Sequence, residues 1–384
     1  MKVLHLYKDY YPVLGGIENH IRLLAHEQVR HGFDVTVIVT SESSRTEEID
    51  DGGVRVIKAG RWLSLASTPI SPALFACVRR TPVDIAHLHF PYPWGEMAQL
   101  LCGRARATVI TYHSDVVKQR GLLRLYEPLL WQVLRRADRL LATSAPYVQS
   151  SRFLRPLAGK TTVVPSCIEV ERFREPPADE VARLRRAHCP DSRPVLISVG
   201  RMRYYKGLDT LIEAMREVDA VLLLVGTGPM EAEWRGLAVQ LGVADRVRFL
   251  GEVSDAALPA HYHAADVYVS SASHRSEAFG LTLLEGMASG LPAISTELGT
   301  GTSFVNLDGV TGVVVPPRDP AALAAAIRGL LADPERRARL GAAGRERVER
   351  EFSVPVMTDL VLRVYREVLG KAGVQAGPGT VRGA

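Results

Sequence analysis

The chain has 384 residues, of which 47% are hydrophobic, 23% charged and 7% aromatic, with a mean hydropathy of +0.04. That balance excludes wholesale disorder, collagen-like repeats and a multi-span membrane protein, and the length fits two or three domains of roughly 150 residues each. A formal net charge of +5 comes from 47 Lys and Arg against 42 Asp and Glu.

The charge is not evenly spread. Residues 1–170 hold 21 basic and 15 acidic side chains, and the remainder 26 and 27. A mildly basic half attracts phosphates on nucleic acid, anionic lipid or a diphosphate-linked substrate. No zinc-finger, RRM or KH pattern supports nucleic acid. Apolar runs stay below the roughly 18 residues that span a bilayer. Lys8 and Asp9 interrupt the apolar start too early for a signal peptide, so a cytosolic chain is expected. Cys77, Cys102, Cys167 and Cys189 are scattered, with no close pair for zinc or redox chemistry, and read as reduced residues, some of them in the core.

In chain order, short apolar runs alternate with helix-periodic segments. The first half offers strands at 2–7, 34–40, 54–59, 84–89, 107–113, 139–144 and 161–165, with a helix over 17–32 closed by Gly32. Residues 169–193 carry Pro176, Pro177, Pro190 and many charges, as suits a linker with a short helix. The strand pattern restarts at 194–200, 220–226, 246–251, 266–271, 292–296 and 312–316. Continuous Val, Ile and Leu runs between helices indicate parallel sheets covered on both faces, hence two doubly wound α/β domains facing each other. Helices follow over 319–333, with Asp319 as N-cap and Pro320 first in the helix, then 334–352 and 354–370. The Gly-rich stretch 371–384 reads as a disordered tail.

Ligands on such sheets bind at strand ends, on loops and helix starts. Four loops carry candidates. Gly15-Gly16 lets backbone approach an anion at a helix start, or else serves a tight turn. GRMRYYKG (200–207) places Arg201 and Lys206 on a strand-to-helix loop, as suits clamping a diphosphate, with Arg203 as a third cation. VGTGPM (225–230), with Gly228, begins a dinucleotide fingerprint that Glu231 leaves incomplete, while Glu252 follows the next strand as an acid for a ribose. In SHRSEAFGLTLLEGMASG (273–290), Glu277 and Glu285 flank a Phe-Gly turn whose amides at Phe279, Gly280, Leu281 and Thr282 form a helix-start nest for phosphate oxygens. Each carboxylate accepts two neighbouring hydroxyls, as a sugar and a ribose present them. The plain alternative is a solvated loop Glu beside a salt-bridged helix Glu. His113, in TYHSD at a strand end, is either a sugar or phosphate contact or a structural histidine.

Together these residues resemble the retaining glycosyltransferases of family 4, over about residues 1–370. The most specific element is E-x7-E, Glu277 to Glu285 in EAFGLTLLEGMASGLP. The resemblance implies the GT-B fold. It implies an acceptor-binding domain over 1–170, a nucleotide-sugar-binding domain over 171–354, and a helix over 355–370 crossing back onto the first. It further implies that Glu277 meets the donor sugar, Glu285 the ribose, Arg201 and Lys206 the diphosphate, Gly16 the phosphates, His113 the transferred sugar and the backbone at Val253 the base. KVLHLYKDYYPVLGGIENHI, LHFPYPWGEMAQLL, TYHSDVVKQRGLLRLYEPLL and LGTGTSFVNLDGVTGVVVPP look like bacterial O-antigen mannosyltransferases. That narrower likeness implies a hexose donor, GDP-mannose ahead of a UDP-sugar, and a glycan or polyprenyl-diphosphate-linked acceptor. Two departures stand out: Ser166-Cys167 where the family often has Asn-Gly, and Leu298-Gly299-Thr300-Gly301-Thr302 where it has Gly-Gly. The second is a candidate determinant of donor or acceptor choice.

No Asp-x-Asp is present, so cations and helix-start amides rather than a bound metal are expected to neutralise the leaving diphosphate, and no tightly bound cofactor is expected. Retention implies same-face attack. Residues 116–139 mix Lys118, Arg120, Arg124, Arg135, Arg136 and Arg139 with Leu, Tyr126 and Trp131, as suits either peripheral contact with anionic lipid or a core helix with a solvated basic face. A nucleotide-sugar epimerase, an NAD-linked oxidoreductase and a non-catalytic nucleotide-sugar sensor are the competing classes.

Overall fold

In a computed structural model, the structure describes residues 1–13, 15–65, 68–115, 120–189 and 191–375, without the side chains at 65, 120–125 and 371–375. The chain divides into two compact units. One comprises Met1–Thr143, Ser151–Pro165 and Val354–Ala384, the other Ser144–Ser150 and Ser166–Ser353.

The first unit runs β1 (Lys2–Leu6), α1 (Gly16–Arg30), β2 (Asp34–Thr40), β3 (Glu47–Asp51), β4 (Val54–Ala59), β5 (Leu63–Leu65), β6 (Thr68–Ile70), α2 (Pro72–Arg80), β7 (Val83–Phe90), α3 (Pro93–Cys102), β8 (Ala105–Tyr112), α4 (Arg120–Arg136) and β9 (Arg139–Ala142). After α5 (Ala145–Ser150), which clusters with the other unit, β10 (Thr161–Val163) completes its sheet. The order is β10-β9-β8-β7-β1-β2-β4-β3. Only β3 is antiparallel, pairing with β4. Val3, Val37, Ile85 and Val109 lie in its buried centre. Strand β3 and the β5–β6 hairpin were not expected from the sequence; EEIDD has no apolar run and sits exposed at a sheet edge.

The second unit holds α6 (Ala178–His188), β11 (Val195–Val199), α7 (Leu208–Ala214), β12 (Val221–Val225), α8 (Glu231–Gln240), β13 (Val247–Gly251), α9 (Leu258–His263), β14 (Val267–Val269), α10 (Leu281–Ala288), β15 (Ala293–Thr296), α11 (Thr302–Val305), β16 (Gly312–Val315), α12 (Pro320–Leu331) and α13 (Pro334–Glu351). Its parallel sheet has the order β13-β12-β11-β14-β15-β16. Alternate strand residues feed separate cores on its two faces: Val195, Ile197, Leu223 and Tyr268 on one, Leu196, Leu222, Leu224 and Val267 on the other. Asp319 Oδ1 accepts the Ala322 amide at 2.9 Å, so the N-cap stands where expected.

Residues 166–170 belong with this unit rather than with the first, contrary to a boundary at 170. The reason is packing. The Ile168 amide donates to the Phe352 carbonyl at 3.0 Å, and Ile168 and Val170 lie in the second unit's core.

The last helix, α14 (Val354–Gln375), clusters with the first unit. Its Glu367 pairs with Arg139 at 3.2 Å, and the Tyr365 hydroxyl lies 2.6 Å from His87 Nδ1. The helix continues past residue 370, and the rest of the expected tail, 376–384, lies outside the described residues. Among the described residues no helix is long and apolar enough to cross a membrane.

In each sheet the connections reverse direction once, between β1 and β7 in the first and between β11 and β14 in the second. Loops on either side of such a reversal diverge and leave a crevice at the strand ends. Beside the second reversal, the loops after β11 and β12 interlock through glycines. A Cβ on Gly226, at φ +116, would stand 2.3 Å from the Gly200 carbonyl oxygen, and one on Gly228 2.4 Å from that of Met202. Replacing Gly226 with Ala is expected to lower stability by about 1–3 kcal/mol through strain and this collision, read as a lower urea midpoint at unchanged m-value.

Candidate functional site

The crevice of the second unit gathers the charged residues. Loop 200–207 leaves β11, and loop 270–280 leaves β14. The Ser273 amide donates to the Tyr205 carbonyl at 2.9 Å, and the Ser271 hydroxyl to the Lys206 carbonyl at 3.1 Å, so the two loops are laced together. Lys206 Nζ lies 2.8 Å from Glu277 Oε2, with both side chains largely buried. Burial works against the Lys206 ammonium, but the Glu277 carboxylate overrides it and holds the pKa above the ordinary lysine value. Arg201 stands exposed on the same loop and forms no ion pair among the described residues.

Gly280 caps α10 at φ +93, a left-handed conformation that favours glycine. The first amides of α10 have no acceptor within the helix and face outward along its axis. One turn in, Glu285 Oε2 accepts the Tyr262 hydroxyl at 2.7 Å. Burial pushes the Glu285 carboxyl up to about 7, against the opposing effects of the Tyr262 hydrogen bond and the Arg172 charge. The loop after β15 braces this turn. The Thr300 hydroxyl donates to the Glu277 carbonyl at 2.8 Å, and the Gly301 amide to the Ala278 carbonyl at 2.8 Å. A Cβ on Gly301 would meet the Phe279 ring at 2.6 Å. The unusual sequence of this loop therefore has a local role in holding Glu277.

The side chains of several candidates expected to act through their backbone serve packing. The Phe279 side chain is a core residue whose ring packs on Phe352 at 6.0 Å, which leaves only its backbone to a ligand. Thr282 commits its hydroxyl to Tyr268 at 2.8 Å. Leu281 and Val253 pack partly buried against the same core. Gly228 has the packing reason given above, and Glu231 pairs with Arg235 at 2.8 Å on α8.

Gly15, Gly16 and His113 belong to the first unit. Gly15 is extended at φ −175, so torsion does not require glycine there. Space does: a Cβ would stand 2.2 Å from Glu18 Oε2. The Glu18 carboxyl folds over the start of α1, where a phosphate was expected; burial raises its pKa against a hydrogen bond from its own amide.

His113 lies at the end of β8 among four other buried histidines, His5, His20, His87 and His89. His5 and His87 face each other in register across β1 and β7. Burial lowers all five pKa values, those of His5 and His20 to about 4. His5, His87 and His89, and likewise His20, His89 and His113, bring nitrogens within 4.8 Å of one another, the spacing a metal needs. The sequence signal for this cluster is the alternation His87-x-His89 beside His5.

Basic segment 116–139 is described only in part. Lys118 and the side chains of Arg120 and Arg124 lie outside the described residues. Leu130 and Leu134 are buried, and Trp131 stacks near Phe153 at 5.3 Å, so these apolar groups serve packing. Arg135 and Arg136 remain exposed.

Two family models cover most of the chain: Glycosyltransferase Family 4 over residues 14–172 and glycosyl transferases group 1 over 183–347. A D-rhamnosyltransferase of Pseudomonas aeruginosa is 37% identical over 356 residues, covering 92% of each chain. The O-antigen chain mannosyltransferase C of Escherichia coli is 37% identical over 372 residues, covering 96% of this chain and 99% of its own. The chain belongs to the family 4 glycosyltransferases. Sucrose-phosphate synthase from Thermosynechococcus elongatus superposes with a TM-score of 0.78 at 26% identity, over 96% of this chain and 99% of the other. HepE from Anabaena, solved with UDP, gives 0.75 at 20% identity over 96% and 100%, and shows the fold alone. The GT-B fold anticipated from the sequence is thus shown for this glycosyltransferase.

The depressed histidines give a pH signature. Between about 6.5, their unfolded value, and about 4, the unfolded chain binds protons that folded His5 and His20 refuse. Stability therefore falls as pH drops through that window, by up to about 1.4 kcal/mol per pH unit for each group. Glu285, with its raised pKa, acts with the opposite sign in part of the window, so the variant comparison is the readout. His20→Leu is expected to flatten the loss of Tm between pH 7 and pH 5, and to leave stability at pH 7 undiminished because both His20 ring nitrogens lack partners.

Proposed function

We propose that this glycosyltransferase moves a hexose, mannose from GDP-mannose in first place, onto a glycan or lipid-linked acceptor with retention of anomeric configuration. The observation that carries the reading is the buried Lys206–Glu277 pair beside the start of α10, with Glu285 one turn further on. A cation and helix-start amides suit a diphosphate, and the two carboxylates suit hydroxyls of a sugar and a ribose. Both 37%-identical relatives carry names of manno-configured transfer, since D-rhamnose is 6-deoxy-D-mannose. That supports the donor choice and a role in O-antigen or exopolysaccharide synthesis.

In this reading Arg201 and Lys206 neutralise the diphosphate as charge develops on it, and the α10 amides hold its oxygens. Glu277 accepts hydroxyls of the sugar, Glu285 those of the ribose, and the backbone near Val253 faces the base. His113 touches the transferred sugar. The anomeric carbon–oxygen bond to the diphosphate breaks, the acceptor oxygen bonds on the same face, and its proton passes to the leaving phosphate oxygen. The chemistry assigns no step to a metal.

Thermal-shift titration with GDP, UDP, ADP and their sugars tests the donor site. GDP is expected to raise Tm in the wild type, and Glu285→Ala and Lys206→Ala to abolish the rise. A UDP-selective rise would reassign the donor, and no response to any nucleotide would overturn the site. With the Glu285 carboxyl at about 7 and the ribose binding its ionised form, GDP affinity should increase roughly tenfold from pH 6 to pH 8 and then level off, a dependence that Glu285→Gln removes.

The exposed guanidiniums of Arg135 and Arg136 support peripheral contact with anionic membranes. Cosedimentation with phosphatidylglycerol vesicles is expected to fall at least severalfold in Arg135→Gln/Arg136→Gln, while unchanged binding would sink the contact.

A further inference from the structure

The buried rings of the first unit form a line of hydrogen bonds with one end free among the described residues. Gln28, on α1 and fully buried, places Oε1 2.8 Å from His5 Nε2. His5 Nδ1 lies 3.0 Å from His89 Nε2, and His89 Nδ1 3.0 Å from His113 Nε2. Burial depresses the pKa of each ring, so near pH 7 each is neutral and holds one N–H and one lone pair. In such a line one end dictates the other. The Gln28 carbonyl oxygen only accepts, so His5 carries its proton on Nε2. His5 Nδ1 is then a lone pair, which takes the proton of His89 Nε2. His89 Nδ1 is in turn a lone pair, which takes the proton of His113 Nε2.

We infer that Gln28, acting through His5 and His89, fixes His113 as the Nε2–H tautomer and so leaves an unprotonated Nδ1 to accept a hydroxyl of the bound sugar. The last clause rests on the donor reading above. Gln28, His5 and His89 are positioning residues, since none of them is assigned a contact with substrate.

Gln28 is itself oriented. Its Nε2 donates to the Tyr365 hydroxyl at 3.4 Å. That hydroxyl lies 2.6 Å from His87 Nδ1, and His87 Nε2 lies 2.6 Å from the Thr111 hydroxyl. When the Tyr365 proton goes to His87 Nδ1, the hydroxyl can only accept from Gln28, and the carboxamide oxygen is then kept turned toward His5. Turning the amide over would reverse every proton in the line and present Nδ1–H at His113 instead. His20 stands apart. Its ring meets those of His89 and His113 edge to face at 5.8 and 5.1 Å, and both its nitrogens are buried without partners. The spacing of these rings also suits a metal, but a metal held through His89 would compete with its two hydrogen bonds in the line.

Long-range proton–nitrogen correlation spectra of the full chain, labelled with nitrogen-15 histidine and free of ligand, test the tautomers directly. His5, His89 and His113 are each expected as Nε2–H. Gln28→Glu, whose carboxylate also only accepts, should keep that pattern, and Gln28→Leu should leave His89 and His113 as tautomer mixtures. Nδ1–H at wild-type His113 overturns the assignment, as does an unchanged His113 in folded Gln28→Leu. One equivalent of Zn2+ shifting the nitrogens of His20, His89 and His113 together would make the cluster a metal site and overturn the relay. In the transfer assay, Gln28→Leu is expected to lower kcat about tenfold with KM within about twofold, and Gln28→Glu to restore kcat. Expected tautomers with an unmoved kcat would overturn the sugar-facing role alone. Failure of the donor reading shows separately, as the absence of any nucleotide response in the wild type.

Discussion

The arrangement of the second unit depends on one electrostatic constraint, the confinement of an ammonium and a carboxylate in the same crevice. Lys206 arrives from the loop after β11 and Glu277 from the loop after β14, where the sheet reverses its connections. Neither charge tolerates that burial alone, since an uncompensated buried charge costs about 3–5 kcal/mol. The pair therefore ties together two loops that the topology drives apart. Gly207 follows from the same closeness, because a Cβ there would stand 2.2 Å from the Ser271 carbonyl oxygen of the other loop. A diphosphate sugar entering here would meet both charges at once and divide them, the cation to phosphate and the carboxylate to sugar hydroxyls. In the proposed donor site, the ion pair that braces these loops would also be the set of partners the donor takes up.

The two units handle buried polarity in opposite ways. In the second, charge is kept and balanced. In the first, five imidazoles from β1, α1, β7 and the end of β8 are buried, and burial strips them of charge. Their hydrogen bonds are consequently between neutral groups, and their direction is a matter of which partner can only donate or only accept. The Gln28 carbonyl oxygen is such a fixed partner, while the Tyr365 and Thr111 hydroxyls both donate and accept.

Much of the fold was legible because parallel strands buried on both faces must be continuous in Val, Ile and Leu, a pattern that survives any loop variation. What escaped lacks that pattern: β3 is acidic and exposed, and β5 and β6 are three residues long. At the site, Glu277 and Glu285 could be found because a glycine turn and one helical turn join them locally. Tyr262, the hydroxyl on Glu285, comes from α9 and is invisible to spacing. Glu18 was missed because its carboxyl folds back on its own helix start, an event that Gly15 permits but does not announce. Sequence places the Phe279 amide at the helix start but not its ring, which packs into the core. The histidine line needs the register of β1 against β7, which only pairing reveals.

The acidic strand β3 has one more effect, at the boundary of its sheet. It runs antiparallel along the outer edge of β4, where a row of unpaired backbone groups would otherwise be left to any extended chain. Glu47, Glu48 and Asp50 are exposed there, and Asp51 is held inward by Tyr10, Arg22 and His26. A second copy of the strand laid against this edge would bring carboxylates onto carboxylates. At the opposite edge β10 is only three residues long. The eight-stranded sheet thus ends at one side in an acidic edge and at the other in a three-residue strand, both poor templates for a further strand.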